Sequence, residues 1–339
     1  MSSHYQVKFQ MNHENNQVGV LLVNTGTPSE LKIKSIREYF KEFLLDKRII
    51  QLPRIVWLPI LYLIILPFRP AKKINDYKKI WMKDGSPLLV YTNRLLKKLK
   101  ASKLKKSNMH INIAMRYGKP NIRNQLLKFK EKKINNLIII PMFPQFSFST
   151  TESVKDKIKS SLIKLKWKPQ INYVEEYYQE DIYIDSISKI IKNKWAKNNG
   201  KLIFSYHGLP KKYVDKGDTY YQSCIKTSDL IARKLALKKE EHITSFHSKF
   251  GFGEWTKPYT EDLLLELPKK GIKSIGIISP SFSIDCLETL EEIAVSFKEN
   301  FIKAGGKKFK YIPCLNDNSD HVALIEKLIT LNHRQKVKF

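Results

Sequence analysis

The sequence predicts an α/β protein of two similar doubly wound domains, each with a four-stranded parallel sheet flanked by helices. Three observations support this prediction. The chain has 339 residues, short apolar runs rich in β-branched residues alternate with amphipathic stretches, and each half of the chain offers four such runs. Strands that alternate with helices are typical of parallel sheets built from strand–helix–strand units.

The predicted strands form two groups of four along the chain. The first group is GVLLVNTG (19–26), INIAMRYG (111–118), NLIIIPMFP (136–144) and INYVEEY (171–177). The second group is KLIFSYHG (201–208), HITSFHS (242–248), SIGIISPS (274–281) and FKYIPC (309–314). Helical periodicity falls between them, as in NIRNQLLKFKEKK and CIKTSDLIARKLALK.

The grouping of the strands also predicts the domain boundaries. Residues 1–16 are polar, lack the apolar core of a signal peptide and are expected to form a flexible tail. The first domain is expected over 17–177 and the second over 178–339. The last helical stretch, SDHVALIEKLITLNH, could pack on either domain, including back on the first.

The composition excludes some classes of protein. The formal net charge is +29, but the lysines are spread along the whole chain, which favours a solvated surface over a nucleic-acid site. The three cysteines, Cys224, Cys286 and Cys314, are odd in number and have no CxxC spacing. This argues against a disulfide framework or a zinc ribbon, and we expect a cytoplasmic protein.

One segment is strongly apolar, LPRIVWLPILYLIILPFRP at 52–70. Between Arg54 and Arg69 it carries no charge, and Pro59 and Pro67 are expected to interrupt it. The uncharged run is short for a membrane-spanning helix, which needs about 20 residues. The segment is therefore either a core helix or an exposed apolar lip that holds a greasy ligand or touches a membrane surface, with a membrane-spanning helix as the least favoured alternative.

The stretch IFSYHGLP places His207 at the end of a predicted strand. Most histidines are structural, so the residue alone indicates little. In open parallel sheets, however, ligands bind at the carboxyl ends of the strands, and this position lets an imidazole face a cleft. His207 is therefore a candidate functional residue.

A set of carboxylates follows the seventh predicted strand, in PSFSIDCLETLEE. Asp285, Glu288 and Glu292 are spaced i, i+3, i+7, so on a helix they share one face. Asp285 and Glu288 also fit the D-x-x-E pattern of a helix N-terminal capping box. The functional alternative is an acidic track that binds a cation or passes protons. The chain has no GxGxxG, GxxxxGK[ST], HExxH or GxSxG motif, so nucleotide and hydrolase functions lose most of their support.

The order and spacing of these motifs resemble the ferrochelatase family, whose members insert ferrous iron into protoporphyrin to make haem. The resemblance runs from about residue 18 to about residue 320. It is carried by GVLLVNTGTPSE, IREYFKEFLLDKRII, GSPLLVYT, AMRYGKP, FPQFSFSTTES, SYHGLP, KFGFGEWTKPYT, DCLETLEE and YIPCLND.

The resemblance implies two Rossmann-like domains of the chelatase type with a porphyrin cleft between them. His207 and Glu288 match the family's catalytic and metal-site pair, with Asp285 and Glu292 behind as an acidic track, and residues 52–70 match the lip of the cleft. The positions that match porphyrin-lining residues are Arg69, Arg116, Tyr117, Gln145, Ser147, Trp255 and Phe282.

The resemblance also implies the substrates. They are protoporphyrin IX and Fe²⁺, with no permanently bound cofactor. Some relatives hold an iron–sulfur cluster on a cysteine-bearing C-terminal tail, but this chain ends LNHRQKVKF, so no cluster is expected. A peripheral membrane contact through the lip is expected, and nucleic acid is not expected as a partner.

The chain departs from the family pattern at four positions. His247 stands where relatives usually have Gln and Lys249 where they usually have Arg, and Phe148 and Glu152 are also unusual. These departures bear on the shape and charge of their loops. Three alternatives stay open: coproporphyrin as the ring, cobalt as the metal, and a porphyrin or haem carrier without catalysis.

Overall fold

The computed structural model describes residues 17–106, 108–195, 200–249 and 253–334. The expected N-terminal tail, 1–16, lies outside these residues. Within them the chain forms eight strands. The strands are β1 (Val18–Thr27), β2 (Met109–Gly118), β3 (Asn136–Pro141), β4 (Gln170–Tyr173), β5 (Lys201–His207), β6 (His242–His247), β7 (Ser274–Ile278) and β8 (Lys308–Tyr311).

The eight strands form two four-stranded sheets in which every pairing is parallel. The first sheet has the order β2-β1-β3-β4 and the second β6-β5-β7-β8, so the same arrangement occurs twice. We refer to the part built on β1–β4 as the first domain and to the part built on β5–β8 as the second. The predicted α/β fold with two similar sheets is confirmed.

Helices cover both faces of the sheets. They are α1 (Ile33–Leu44), α2 (Arg54–Pro59), α3 (Leu66–Ile80), α4 (Pro87–Ala101), α5 (Ile122–Glu131), α6 (Ser153–Leu165), α7 (Asp181–Lys194), α8 (Lys211–Asp215), α9 (Tyr220–Lys234), α10 (Thr260–Glu266), α11 (Lys298–Lys303) and α12 (Ser319–Arg334). Three π-helical segments, Ile60–Ile65, Phe148–Glu152 and Glu288–Phe297, extend some of them. Short 3₁₀ turns lie at Lys103–Lys106 and Lys239–Glu241.

Successive residues of β1 point to opposite faces of the first sheet and belong to two separate apolar clusters. Val20 and Leu22 of β1 point into a large cluster that also contains Phe204 of β5, so the two domains share one apolar core. Leu21 and Val23 point to the opposite face, into a separate cluster under α5 and α6. The shared core fixes the two sheets relative to each other and hence the positions of their carboxyl ends.

The apolar segment forms one continuous helical stretch, from Arg54 to Ile80. The expectation that Pro59 and Pro67 interrupt it was wrong. The π-helical segment Ile60–Ile65 lies between the two prolines, and helices α2 and α3 continue on either side of it. Local π geometry can accommodate the backbone groups that a proline leaves without an α-helical partner.

This stretch has two different faces. Trp57, Leu61 and Ile65 are buried against α1, and the Trp57 indole donates to the Leu44 carbonyl at 2.8 Å. Ile55, Leu63 and Phe68 lie on the other face and are between 69% and 86% exposed. Among the described residues it is the one helix whose length and apolar composition would suffice to cross a membrane.

Candidate active site

His207 ends β5 at the carboxyl edge of the second sheet. Its Nδ1 lies 2.8 Å from the carbonyl oxygen of Gly208. A carbonyl can only accept, so Nδ1 carries the proton and Nε2 of the neutral ring keeps its lone pair. The strand end therefore presents a partly exposed imidazole whose Nε2 can accept a proton or bind a metal.

A second histidine lies beside it. His247 pairs in register with His207 on the adjacent strand β6, and the ring centroids are 5.7 Å apart. Its Nδ1 is 2.8 Å from the Ser205 hydroxyl, while its buried Nε2 has no partner among the described residues. Burial, followed by the charge of His207, holds the pKa of His247 well below its usual range. The pair therefore combines an accessible imidazole with a buried neutral one.

The predicted aromatic residues of the second domain lie beside the two histidines. The Phe282 ring stacks on the His247 ring with centroids 6.1 Å apart. Trp255 lies against Gly208, where a Cβ atom would come within 3.2 Å of the indole and 2.9 Å of the His247 carbonyl oxygen. The absence of a side chain at Gly208 thus lets Trp255 approach the backbone next to His207.

Glu288 and Glu292 lie on the π-helical segment that follows β7. Glu288 is its first residue, and Glu292 lies one turn further along. The Ser248 hydroxyl lies 2.8 and 2.7 Å from the two carboxylate oxygens of Glu292. Burial raises the pKa of Glu292 to about 7, with further upward contributions from the charges of Glu288 and Glu261. Glu292 can therefore exchange a proton near neutral pH.

A third carboxylate stands behind this pair. Glu261 accepts the backbone N–H of Ser248 at 3.2 Å, and its other oxygen is buried with no partner among the described residues. Burial raises the pKa of Glu261. The sequence reasoning missed Glu261, because its place on α10 gives no spacing that relates it to the DCLETLEE motif.

Glu288 also faces the first domain. It lines a small recess together with Tyr39, Tyr77 and residues at the carboxyl end of β1. Burial raises the pKa of both phenols well above the usual range, and the charge of Glu288 adds to this. Both tyrosines therefore stay protonated and can donate hydrogen bonds next to Glu288. Tyr39 was missed by the sequence reasoning, although it lies in the quoted IREYF stretch.

Asp285 occupies a different environment from Glu292. Its carboxylate accepts hydrogen bonds from Thr289, Tyr311, Asn316 and the backbone N–H of Cys314. Both oxygens are thus engaged by groups at the end of the second sheet. The role of Asp285 in an acidic track stays a prediction.

Arg116 and Tyr117 end β2 at the carboxyl edge of the first sheet. Both donate to the buried carboxylate of Asp46, which also accepts the Ser153 hydroxyl at 2.6 Å. The Arg116 Nε lies 2.8 Å from the same Ser153 hydroxyl. The cluster holds the two predicted porphyrin-lining residues in place, and Asp46 was not predicted from the sequence.

Gln145 and Ser147 follow β3 and are buried between the domains. The Gln145 amide donates to Thr227 at 3.0 Å, and the Ser147 hydroxyl donates to Asp218 at 2.9 Å. Arg69, by contrast, lies exposed on α3 next to Phe68. The porphyrin contacts of all three residues stay predictions.

Within the described parts of the chain, no three His, Cys, Asp or Glu side chains converge to hold a metal ion. The three cysteines are buried free thiols. Lys249 places its ammonium 4.8 Å from the centre of the Tyr259 ring. The candidate functional groups come from separate elements: His207 from the end of β5, Glu288 and Glu292 from the helical segment after β7, and Tyr39 and Tyr77 from α1 and α3.

The fold is shared with solved metal chelatases. SirB from Bacillus subtilis, determined with Fe³⁺, matches with a TM-score of 0.58 and 11% identity over 95% of this chain and 98% of that one. The sirohydrochlorin chelatase SirB of Bacillus subtilis subspecies spizizenii, in complex with cobalt, matches with a TM-score of 0.57 and 9% identity over 95% and 98%. The architecture is that of a two-domain chelatase.

Sequence comparison identifies the family. The ferrochelatase family model matches residues 17–333. Ferrochelatases from Photobacterium profundum and Marinomonas sp. are each 42% identical over 94% of this chain, covering 98% and 97% of their own lengths. One from Marinobacter nauticus is 40% identical over 94% of this chain and 88% of its own length. The chain belongs to the ferrochelatase family, and its activity is the insertion of iron into a porphyrin in haem biosynthesis.

Proposed function

We propose that the chain inserts Fe²⁺ into protoporphyrin IX in the cleft between the two sheets, with His207 and Glu288 on opposite faces of the ring. The observation that carries the proposal is the tautomer of His207. Its Nδ1–H is bound to the Gly208 carbonyl, which leaves Nε2 as a base or ligand. Insertion must remove two pyrrole protons and strip water from the metal, and both tasks need such a group.

Glu288 supplies the opposing carboxylate in this proposal. Carboxylates and imidazoles both suit divalent first-row metals. Glu292 stands behind it with a pKa of about 7, so it can take up or release a proton as charge arrives at Glu288. The proposed role of Asp285 in the track is indirect. Its hydrogen bonds hold the start of the π-helical segment that carries Glu288 and Glu292. The division of proton and metal handling between His207 and Glu288 is a matter for experiment.

The walls of the cleft would bind and distort the macrocycle. Phe282 and Trp255 offer apolar area beside His207, worth about 25 cal/mol per Å² buried. A bent ring exposes its nitrogen lone pairs and is closer to the transition state than a flat one. On the first-domain side, the proposed wall consists of Arg116, Tyr117, Gln145 and Ser147, with Arg69 at the rim as a partner for a propionate.

The proposal also covers the cofactor requirement, the cellular compartment and the membrane contact of the enzyme. No cofactor and no iron–sulfur cluster is required for this chemistry, because the metal and the ring are both substrates. Three free thiols favour a reducing cytoplasmic compartment. A peripheral membrane contact is supported by Ile55, Leu63 and Phe68, whose side chains form an exposed apolar face on the helix.

The decisive experiment is anaerobic insertion of Fe²⁺ into protoporphyrin IX, with Zn²⁺ as a second metal, followed by absorbance. Wild type should turn over, and His207→Ala and Glu288→Gln should each lose at least about a hundredfold in rate. The matched controls are His110→Ala, at the amino end of β2, and exposed Glu299→Gln on α11, which should keep wild-type rates.

The same assay separates the alternatives. Faster insertion into coproporphyrin, or of Co²⁺, would reassign the ring or the metal. Tight porphyrin binding without turnover, or indifference to Glu288→Gln, would support a carrier and contradict the proposed pair.

The membrane contact has its own test. Flotation with vesicles that contain phosphatidylglycerol should recover wild type, and Leu63→Asp should reduce the recovered fraction several-fold. Ile163→Asp is the control, because Ile163 on α6 is 69% exposed, close to the 71% of Leu63, but lies outside the helix Arg54–Ile80. Equal recovery of all three proteins would contradict a contact through this helix.

A further inference from the structure

The segment that begins at His207 is tied to the first domain at two points. It leaves β5, forms α8 and reaches Tyr220 at the start of α9. Tyr213 and Asp218 in this segment both bond to groups from the first domain. Because His207 starts the segment, these bonds tie the chain that leaves the proposed reactive imidazole to the first domain.

Asp218 makes the stronger of the two ties. Its carboxylate is 1% exposed and accepts the Ser147 hydroxyl at 2.9 Å, the Phe148 N–H at 2.7 Å and the Tyr220 N–H at 3.0 Å. Two of the three donors belong to the first-domain loop after β3. A buried carboxylate that accepts hydrogen bonds from both domains resists their separation, because an opening would leave it with only one of its three donors, the Tyr220 N–H.

Tyr213 makes the second tie. Its hydroxyl is 3.3 and 3.2 Å from the carbonyl oxygens of Arg48 and Ile49, in the loop after α1. Burial raises the pKa of Tyr213 to about 12, so the hydroxyl stays a donor. The Asp218 N–H donates to the Tyr213 carbonyl at 3.0 Å, which links the two anchors.

The two first-domain loops are themselves joined. Arg48 Nε donates to Asp156 at 2.8 Å and its guanidinium lies 3.7 Å from Glu152. Ser153 donates to Asp46 at 2.6 Å. The segment 207–220, the loop 46–49 and the stretch 147–156 therefore form a closed circuit of bonds across the domain junction.

We propose that Asp218 is a positioning residue that sets the spacing of the cleft and thereby the porphyrin selectivity of the enzyme. The inference rests on the proposed role of His207. A ring that is held on both faces binds best at one separation of the walls, and small displacements of the reactive groups are costly. Loss of the Asp218 tie widens the distribution of cleft widths without removing any group that touches the metal.

The test compares Asp218→Asn, Tyr213→Phe and the double variant with wild type. Asp218→Asn should raise KM for protoporphyrin IX about tenfold, with a smaller change in kcat. The ratio of kcat/KM between deuteroporphyrin, which has smaller ring substituents, and protoporphyrin IX should shift by a similar factor. The effects of the two substitutions should not be additive, because both loosen the same circuit of bonds.

The controls separate positioning from general damage. Asn172→Ala removes a 2.8 Å bond from β4 to the carbonyl of Asn332 on α12, outside the circuit, and should leave the porphyrin ratio unchanged. If Asp218→Asn does not fold, Tyr213→Phe carries the test, with a smaller shift in the same direction.

If Asp218→Asn and Tyr213→Phe fold and both keep the wild-type KM and the wild-type ratio of kcat/KM between the two porphyrins, the inference is overturned. That result differs from failure of the proposed function, in which His207→Ala would retain full activity.

Discussion

The two sheets end in polar clusters of opposite character. In the first domain, one oxygen of Asp46 accepts hydrogen bonds from Arg116, Tyr117 and Ser153. In the second domain, Glu292 has the hydroxyl of Ser248 as its donor, and Glu261 and His247 each keep a buried atom without a partner in the described parts of the chain.

The contrast indicates which cluster does chemistry. A buried group with all its hydrogen-bond partners rigidifies its surroundings. A buried group with too few partners costs about 1 to 3 kcal/mol and is retained where its reactivity is needed. Perturbed carboxylates and imidazoles cluster at functional sites for this reason. We therefore expect the reactive groups in the second domain and a supporting wall in the first.

The largest expected effect comes from breaking the first-domain cluster of Asp46, Arg116, Tyr117 and Ser153. Asp46→Asn would leave the guanidinium of Arg116, only 13% exposed, next to an amide, and should cost about 3 kcal/mol of unfolding free energy. Urea unfolding would measure it. Asp156→Asn is the control, because its ion pair with Arg48 is half exposed and should be worth less than about 1 kcal/mol. Equal losses in both variants would show that the Asp46 cluster is not the rigid one.

The second-largest expected effect concerns the second-domain cluster of Glu292, Glu261 and His247, and how the unfolding free energy depends on pH through Glu292. The pKa of Glu292 is about 7 in the folded protein against 4.5 for an ordinary Glu. A raised folded pKa means that the stability it brings is fully present below about 4.5 and is lost as the pH rises through about 7. Glu292→Gln does not titrate, so its stability relative to wild type should improve by about 1 to 3 kcal/mol between pH 5 and pH 8.

Thermal unfolding at several pH values would follow this difference. Exposed Glu299→Gln should keep a constant offset from wild type over the same range. A constant offset for Glu292→Gln as well would mean that Glu292 is charged throughout, which would remove the contrast with Asp46.

The sequence predicted the parts of this picture that depend on local pattern. Runs such as LIIIP and KLIFSYH gave the strands, and a strand end gave His207. The DCLETLEE spacing gave Glu288 and Glu292. Asp46 and Asp218 could not be found this way, because the partners that give them their roles, Arg116 and Ser147, lie 70 or more residues away and the loops carry no periodicity. The prediction that Pro59 and Pro67 interrupt the helix Arg54–Ile80 was wrong. The rules for proline in helices, applied to the sequence alone, do not predict the π-helical segment that lies between the two prolines.

The smallest expected effect tests the Ser248 hydroxyl, the donor that bonds to the Glu292 carboxylate. The Ser248 hydroxyl lowers the pKa of Glu292 against the larger upward effect of burial. Ser248→Ala should therefore move the protonation of Glu292 to higher pH, by less than about one unit. The test compares the stability of Glu292→Gln with that of the protein that keeps Glu292, over a range of pH. The midpoint of this pH-dependent difference should shift upward when both proteins also carry Ser248→Ala. An unchanged midpoint would mean that this hydroxyl does not tune Glu292, and the difference between the two clusters would then come from burial alone.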